Sequence, residues 1–240
     1  MKNQWVLLGI LLGLAATASA TDLGVSPTRV SLNPARPSST LTLTNGEARE
    51  VLFEVSAHQW KMTPSGKWEE TPTTLLRVFP PQIKLGPKGQ AVLRMSHQPV
   101  VGLTSELTYR IHLQELPRKH EGGDSKIQLL TKISLPVFLV PPGAKLALSV
   151  PSVSWRAGKL VVSVKNAGQL HLHPQSVQAT WEGRGGKSTT STGAPYVLPG
   201  SMAEWAIDPP VGGCSGLSAL ELNLTESKAT LHIPLTARCQ

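Results

Sequence analysis

Three small groups of side chains have types and spacings that could support chemistry. His171 and His173 would project from one face of a strand, but a zinc site needs three or four ligands, and no nearby Cys, Asp or Glu completes one. Glu69 and Glu70 are adjacent, so on a strand their carboxylates would point to opposite faces, which suits acid–base catalysis poorly. Cys214 would act as a nucleophile only beside an activating base. We therefore expect no metal, no cofactor and no enzyme active site.

Longer motifs and the net charge exclude further function classes. The sequence contains no G-x-S-x-G, no P-loop and no CxxC motif, so nothing in it indicates a small-molecule substrate. The formal net charge is +8 at pH 7, but the basic residues are neither clustered nor interleaved with aromatic residues, as a nucleic-acid surface requires. The charge is typical of a solvated surface, and it could also attract acidic proteins or a membrane surface. We expect no nucleic-acid partner.

Residues 1–20, MKNQWVLLGILLGLAATASA, have the pattern of a secretory signal peptide. Lys2 supplies the positive start, residues 6–16 form the apolar run, and Ala18-Ser19-Ala20 is a small-x-small cleavage site. The apolar run is too short to span a bilayer, and no later segment approaches spanning length. We therefore expect an exported protein that begins at Thr21 and is not inserted in a membrane.

The sequence has two cysteines, Cys214 and Cys239. Disulfides persist in exported proteins, so we predict a Cys214–Cys239 bridge. Such a bridge would constrain the unfolded chain by about 3 kcal/mol. The alternative is that Cys214 is a reactive thiol in the loop GGCSG.

The elements that must position any site are short strands. The strand signals are rich in β-branched residues, recur at about ten-residue intervals and are separated by turn residues. Examples are residues 40–45, 51–60, 91–96, 107–116, 159–166 and 229–235. No segment has a sustained helical period, and the prolines and glycines would interrupt most helices. The pattern predicts an all-β protein built from sandwiches.

The best internal boundary is Pro141-Pro142-Gly143, because paired prolines stop strand pairing and glycine lets the chain turn. It divides the chain after the signal peptide into residues 21–142 and residues 143–240. Each piece has an ordinary length for one sandwich domain. We therefore predict two β-sandwich domains that meet at a proline corner.

The segment 126–140, KIQLLTKISLPVFLV, is the most informative strand of the sequence. At period two, one side of it carries Ile127, Leu129, Thr131, Ile133 and Leu135. An exposed strand of this kind invites pairing with another chain, and soluble proteins usually cover it. Some proteins instead lend such a strand to a partner. The alternative is an interior strand of a sandwich, and the alternation alone does not decide between the two.

Five motifs in order resemble the periplasmic chaperones of the chaperone–usher pilus pathway. They are SPTRVSL (26–32), LTLTN (41–45), FPPQIKLGPKGQAVLRM (79–95), YRIHLQELP (109–117) and TKISLPVF (131–138). Each motif alone is weak, but the five together behind a signal peptide are specific. The ending Pro136-Val137-Phe138 resembles the archaic, spore-coat-type branch, and it lacks a basic residue that elsewhere helps to lock the two domains together.

This resemblance implies a fold, a partner and a location. The fold would be two immunoglobulin-like β-sandwich domains set at an angle with an interdomain cleft. The protein would act in the periplasm, where it would bind pilus or fimbrial subunits and deliver them to an outer-membrane usher. The inserted donor-strand residues would be Ile127, Leu129, Thr131, Ile133 and Leu135.

The resemblance also implies a pair of basic residues that hold the C-terminal carboxylate of the subunit. Arg29 takes the first anchor position. The family's second anchor lysine corresponds here to Ser134, so Lys132 and Arg94 are the two candidates for the second anchor. A carboxylate is a strong recognition element because charge-assisted hydrogen bonds hold it.

Two other functions remain open at this point. The chain could be an exported immunoglobulin-like adhesion or structural module without chaperone activity, which would pair strands within its own assembly. It could also be a secreted hydrolase that uses Cys214 or a histidine. A one-to-one complex with a pilus subunit would favour the chaperone, and self-polymerisation would favour the module.

Overall fold

The computed structural model describes residues 22–63, 66–118, 129–184, 186–224 and 229–235, and the regular elements in these ranges are strands. In chain order they are β1 (Leu23–Ser26), β2 (Val30–Leu32), β3 (Ser38–Asn45), β4 (Val51–Met62), β5 (Trp68–Pro72), β6 (Leu76–Phe79), β7 (Gln82–Leu85), β8 (Gln90–His97), β9 (Leu107–Glu115), β10 (Lys132–Leu139), β11 (Leu148–Arg156), β12 (Lys159–Asn166), β13 (Val177–Gly183), β14 (Gly186–Thr192), β15 (Met202–Ile207), β16 (Leu217–Leu224) and β17 (Ala229–Pro234). A search of the same ranges finds no helix with the length and apolar character that a bilayer crossing needs. The predicted all-β fold is confirmed.

The first ten strands form one sandwich of two sheets. One sheet has the order β1-β3-β8-β6, and the other has the order β2-β10-β9-β4-β5, with β7 also paired to β4. Alternate residues of the facing strands fill the space between the sheets, among them Leu43 on β3, Leu93 on β8 and Ile111 on β9, which are fully buried. The face of the second sheet that points away from this core is therefore free to carry polar groups.

The last seven strands form a second sandwich. Its sheets have the orders β11-β12-β15 and β14-β13-β16-β17, and Trp181 and Trp205 are buried in the core between them. The proposed domain boundary at residues 141–143 falls in the connection between β10 and β11. The architecture of two immunoglobulin-like sandwiches agrees with the sequence prediction.

The strand predicted over residues 126–140 is shorter in the structure. β10 begins at Lys132 and ends at Leu139, and residues 119–128, with Ile127, lie outside the described residues. The other predicted strand segments agree with the structure to within a few residues at their ends. They are 40–45 on β3, 51–60 on β4, 91–96 on β8, 107–116 on β9, 159–166 on β12 and 229–235 on β17.

Candidate functional site

Strand β10 has one edge that is only partly paired. It runs antiparallel to β9 along its whole length, from Lys132 opposite Gln114 to Leu139 opposite Leu107. On its other edge it pairs in parallel with β2, but only along Val137–Leu139. No described strand lines that edge from Lys132 to Pro136, which we call the open edge of β10. Backbone groups of alternate residues in this stretch face outward and can pair with an added strand.

The predicted donor residues divide into a buried group and an exposed group. Leu135 is 5% exposed and belongs to the core of the first sandwich. Ile133 is half-buried and packs against the same core. Both side chains therefore contribute to the core of their own domain, and their insertion into a partner stays a prediction. Leu129, in contrast, is 87% exposed.

Glu115 marks the point at which the chain joins the sheet. Its backbone N–H donates to the Thr131 carbonyl at 2.8 Å, and its carboxylate accepts the Thr131 N–H at 3.0 Å. The carboxylate is almost fully buried and also contacts the Arg49 guanidinium at 3.3 Å. These contacts fix Thr131, which is half-buried, as the first residue of the segment held by β9. Leu129 and Leu130 precede this point and are both exposed.

Two of the predicted anchor residues lie near the open edge. Arg29 directly precedes β2 and is half-buried. Val30 pairs with Val137, so continuing the parallel register by one residue places Arg29 beside Pro136. Lys132 is exposed at the start of β10, four residues before Pro136 and therefore about 13 Å away along the strand. Lys132 is on this sheet, and Arg29 lies directly before its strand β2.

Arg94 lies on the other sheet and does not belong to this site. It is on β8, opposite Thr40 on β3 and Phe79 on β6. Its neighbours Leu93 and Met95 point into the core, so Arg94 points outward from the far side of the sandwich. The two sheets of a sandwich are about 10 Å apart, and the core separates Arg94 from Arg29. This position does not favour Arg94 as the second anchor, and the identity of that anchor stays a prediction.

A second guanidinium, that of Arg110, lies next to Ser134, the position that corresponds to the family's second anchor lysine. Arg110 on β9 pairs with Pro136, on the opposite side of β10 from Arg29. Two strand spacings therefore separate the backbones of Arg29 and Arg110, which is about 10 Å. The Arg110 side chain is 12% exposed, and its Nη1 donates a hydrogen bond to Ser134 Oγ at 3.1 Å. Ser134 is the residue that stands at the family's lysine position.

Two tryptophans hold the Arg110 guanidinium. Its Cζ lies 4.1 Å from the ring centroid of Trp60 and 4.9 Å from that of Trp68. Trp60 is fully buried, whereas Trp68 is 43% exposed on the edge strand β5. Cation–π contacts of this kind favour a charged guanidinium in a partly desolvated place. Burial lowers the pKa of Arg110, while the nearby Glu70 carboxylate raises it, and the group keeps its charge at neutral pH.

Glu70 on β5 bridges Arg110 and His112. Its Oε1 is 3.4 Å from Arg110 Nε, and its Oε2 is 2.8 Å from His112 Nε2. The His112 ring stacks on His58, with ring centroids 4.5 Å apart. Burial lowers the pKa of His112 from its ordinary 6.5, Glu70 raises it, and His58 and Lys132 lower it further. We call Arg110, Glu70, His112 and His58 the Arg110 cluster.

The sequence contained a signal for this cluster. In YRIHLQELP, the polar residues Arg110, His112 and Gln114 alternate with Tyr109, Ile111 and Leu113, which are buried. This alternation predicts a strand with a polar face turned away from the core. The partners of that face lie about fifty residues earlier on β4 and about forty residues earlier on β5, and period-two reasoning alone does not bring them together.

Among the described residues, the two sandwiches meet through aromatic rings and through a contact between His171 and the Glu106 carboxylate. Phe138 at the end of β10 stacks on His171 of the second sandwich, with centroids 3.7 Å apart and planes 8° apart. His171 Nδ1 lies 2.8 and 2.9 Å from the two oxygens of the Glu106 carboxylate, which is itself fully buried. Trp60 contacts the Tyr196 ring edge-on at 5.0 Å. The two domains therefore contact each other without the basic residue that the ending Pro136-Val137-Phe138 lacks, and Phe138 itself takes part in the contact.

Of the two cysteines in the predicted disulfide, only Cys214 lies within the described residues. Cys214 is disulfide-bonded, while Cys239 lies outside the described residues. The pairing of the two stays a prediction.

Sequence comparison places the first sandwich among known chaperones. Residues 22–145 match the family described as pili and flagellar-assembly chaperone, PapD N-terminal domain. The probable fimbrial chaperone LpfB of Escherichia coli O157:H7 is 26% identical over 148 residues, which are 60% of this chain and 61% of LpfB. The alignment therefore spans less than two thirds of the length of that curated relative.

Solved structures share the whole architecture. The chain is similar to a chain of the CsuC–CsuE chaperone–tip adhesion subunit pre-assembly complex of archaic Csu pili from Acinetobacter baumannii, with 18% identity, a TM-score of 0.61 and coverage of 91% of this chain and 100% of that one. It is also similar to a chain of the SafA pilin–SafB chaperone complex from Salmonella enterica, with 17% identity, a TM-score of 0.58 and coverage of 90% and 98%. At these identities the likeness establishes a common fold.

Proposed function

Because the chain belongs to the family of pili and flagellar-assembly chaperones, we propose that it is a periplasmic chaperone for pilus or fimbrial subunits. It binds them by donor-strand complementation and delivers them to an outer-membrane usher. The observation that carries this proposal is the open edge of β10 together with the exposed Leu129 just before it. The signal-like residues 1–20 support export, and the fold likeness to the Csu complex is consistent with the archaic branch.

Donor-strand binding follows from the physical character of this segment. The backbone of the open edge offers hydrogen bonds to any extended partner, and these bonds supply affinity. Side chains at alternate positions fix the register and give selectivity, because a slip by one residue reverses the faces. The proposed inserted side chains are Leu129 and Ile127, which precedes it by two residues. Thr131 lies at the junction, where the chain enters its own sheet.

We assign the carboxylate anchor to two arginines. Arg110 on β9 pairs with Pro136, and Arg29 directly precedes the strand on the other side of β10. A guanidinium binds a carboxylate with two parallel hydrogen bonds. The Ser134 hydroxyl, which accepts from Arg110 Nη1, orients this guanidinium toward β10. Lys132 lies farther along the strand at the rim of the site, where its charge attracts the same group.

We infer that this site recognises a partner's chain end rather than catalysing a reaction. The charged groups of the Arg110 cluster are paired with one another, and their geometry suits the recognition of a carboxylate. Strand pairing requires no nucleotide, because the subunit's remaining folding energy is released when a neighbouring subunit replaces the chaperone strand.

Two short peptides test the anchor. The acid probe is a peptide of alternating valine and threonine that ends in a free α-carboxylate, and the amide probe is its C-terminal amide. Wild-type protein should bind the acid probe about ten- to a hundredfold more tightly, because a hydrogen bond to a charged group contributes roughly 1.5–3 kcal/mol. Isothermal titration calorimetry measures both affinities.

Variants of the two arginines then identify the contacts. Arg29→Gln and Arg110→Gln should each reduce the preference for the acid probe, and Arg94→Gln is the matched control because Arg94 lies on the opposite sheet. If Arg110→Gln keeps the full preference while Lys132→Gln loses it, Lys132 is the second anchor and the assignment to Arg110 fails. Gel filtration with a pilus subunit separates the chaperone from the structural module, which would form polymers by itself.

A further inference from the structure

The Arg110 guanidinium already contacts a carboxylate within its own chain. Glu70 approaches it through Nε at 3.4 Å and at the same time approaches His112 at 2.8 Å. A guanidinium that is 12% exposed requires a counter-ion, since a partly desolvated charge without one is costly. In the free chain Glu70 supplies that counter-ion.

Glu70 lies on the strand at the edge of the sheet and is less enclosed than Arg110. It lies on β5, which among the described strands pairs only with β4 and forms the edge of its sheet. Its side chain is 28% exposed, so rotation of its side chain toward solvent leaves no buried carboxylate behind. Arg110, in contrast, is held by Trp60, Trp68 and Ser134. Of the two partners in this ion pair, Glu70 is the one that can leave.

A partner's carboxylate at Arg110 would come close to the Glu70 carboxylate. Two carboxylates that share one site repel each other, and the arrangement favours the loss of one of them. Outside the cluster, the nearby Lys132 and Arg29 are cationic, and within it His58 and His112 stack against each other. These groups favour a single carboxylate in this place, and Glu70 and an incoming carboxylate therefore compete for it.

We propose that Glu70 is an internal competitor of the carboxylate anchor: it holds the Arg110 guanidinium in the free chaperone and is displaced by the C-terminal carboxylate of the bound subunit. This inference rests on the proposed anchor function of Arg110. Competition makes the site selective, because an isolated small anion gains too little to displace Glu70. A chain end that also pairs with the open edge of β10 gains the additional binding free energy that displacement requires.

The test uses Glu70→Gln with Glu69→Gln as its matched control. Glu69 is the neighbouring residue on β5, opposite Lys61. Successive side chains of a strand point to opposite faces, so Glu69 faces away from Arg110. Its substitution changes the net charge by the same amount as that of Glu70. Glu70→Gln should bind the acid probe roughly three- to tenfold more tightly than wild type. The amide probe should bind all three proteins equally, and Glu69→Gln should match wild type with both probes.

The outcomes separate this inference from the proposed function. If wild type prefers the acid probe but Glu70→Gln does not bind it more tightly, the anchor stands and the competition is refuted. If wild type does not distinguish the two probes, the anchor itself fails and the competition fails with it. Thermal melting of each variant establishes that it is folded.

A measurement on the wild type covers the case in which Glu70→Gln does not fold. Displacement of Glu70 removes the acceptor from His112 Nε2, so the ¹⁵N resonance of this nitrogen should shift on saturation with the acid probe and stay in place with the amide probe. An unchanged resonance with the acid probe would show that Glu70 remains on His112 and would overturn the proposal.

Discussion

Replacing Leu129 with glutamate changes a side chain that the free protein leaves in solvent. Leu129 is 87% exposed and lies outside the core of the first sandwich. Substitutions at such positions usually change the free energy of unfolding by less than about 0.5 kcal/mol. We therefore expect Leu129→Glu to unfold at nearly the same urea concentration as wild type.

The same substitution should strongly weaken subunit binding. Burying a leucine side chain contributes about 1.5–3 kcal/mol, and nearly all of this free energy is still available because the side chain is exposed in the free chain. Leu129→Ala should therefore reduce the affinity for a subunit by about ten- to a hundredfold. Glutamate should reduce it further, because a charge would enter the apolar groove of the partner.

Two control positions make the experiment specific. Leu130→Glu introduces the same charge one residue later, on the other side of the extended chain, and should weaken binding much less. Leu135→Ala removes a core side chain that is 5% exposed and should lower the free energy of unfolding by about 2–5 kcal/mol. The assay is co-purification with a co-expressed pilus subunit, together with urea unfolding of each free variant. Normal subunit binding by Leu129→Glu, or unfolding of the free variant, would refute the donor-strand assignment.

Three further predictions concern other parts of the molecule. His171→Ala removes the partner of the buried Glu106 carboxylate and should lower the free energy of unfolding by about 3 kcal/mol; a change below about 0.5 kcal/mol in urea unfolding would show that the pair does not hold the domains together. Because the pKa of His112 is lowered in the folded state, its contribution to stability is present above pH 6.5 and is lost as the pH falls below 6.5 and through the lowered pKa. His112→Gln should therefore lose less stability than wild type between about pH 7.5 and pH 5, and an equal loss in both would contradict the assignment. Finally, a Cys214–Cys239 bridge predicts no titratable thiol in the native protein and a lower melting temperature under reductant, whereas one reactive thiol per cysteine would exclude it.

The strands could be predicted because their periodicity is local. In β9, Tyr109, Ile111 and Leu113 are buried while the residues between them are not, and the sequence alone displays this alternation. The start of β10 could not be predicted in the same way. It depends on Glu115, whose carboxylate and backbone both hold Thr131 from sixteen residues earlier in the chain. Such a contact leaves no trace in the periodicity of the strand itself.

The anchor residues show a second limit of sequence reasoning. Arg94 and Lys132 are both basic residues on strands, and the sequence that flanks them does not indicate that they belong to opposite sheets. Sheet assignment depends on which strands pair, and β8 pairs with β3 and β6, whereas β10 pairs with β9 and β2. The proposed role of Arg110 could not be predicted because it depends on the register of Arg110 with Pro136, a property of the assembled sheet.

The division of the segment around β10 into a buried and an exposed part suits the proposed donor function. A strand that binds a partner must keep an unpaired edge, yet an unpaired apolar strand destabilises a free protein and promotes aggregation. Here Leu135 and Val137 are buried in the chaperone's own core, and Phe138 is buried where the two sandwiches meet, so they keep the strand in position at no cost to solubility. Leu129 extends beyond the last contact with Glu115, where the core has ended. Because a single segment provides both parts, the register of the exposed residues is fixed by the buried ones, and a partner that pairs with the open edge is aligned with the arginines beside Pro136.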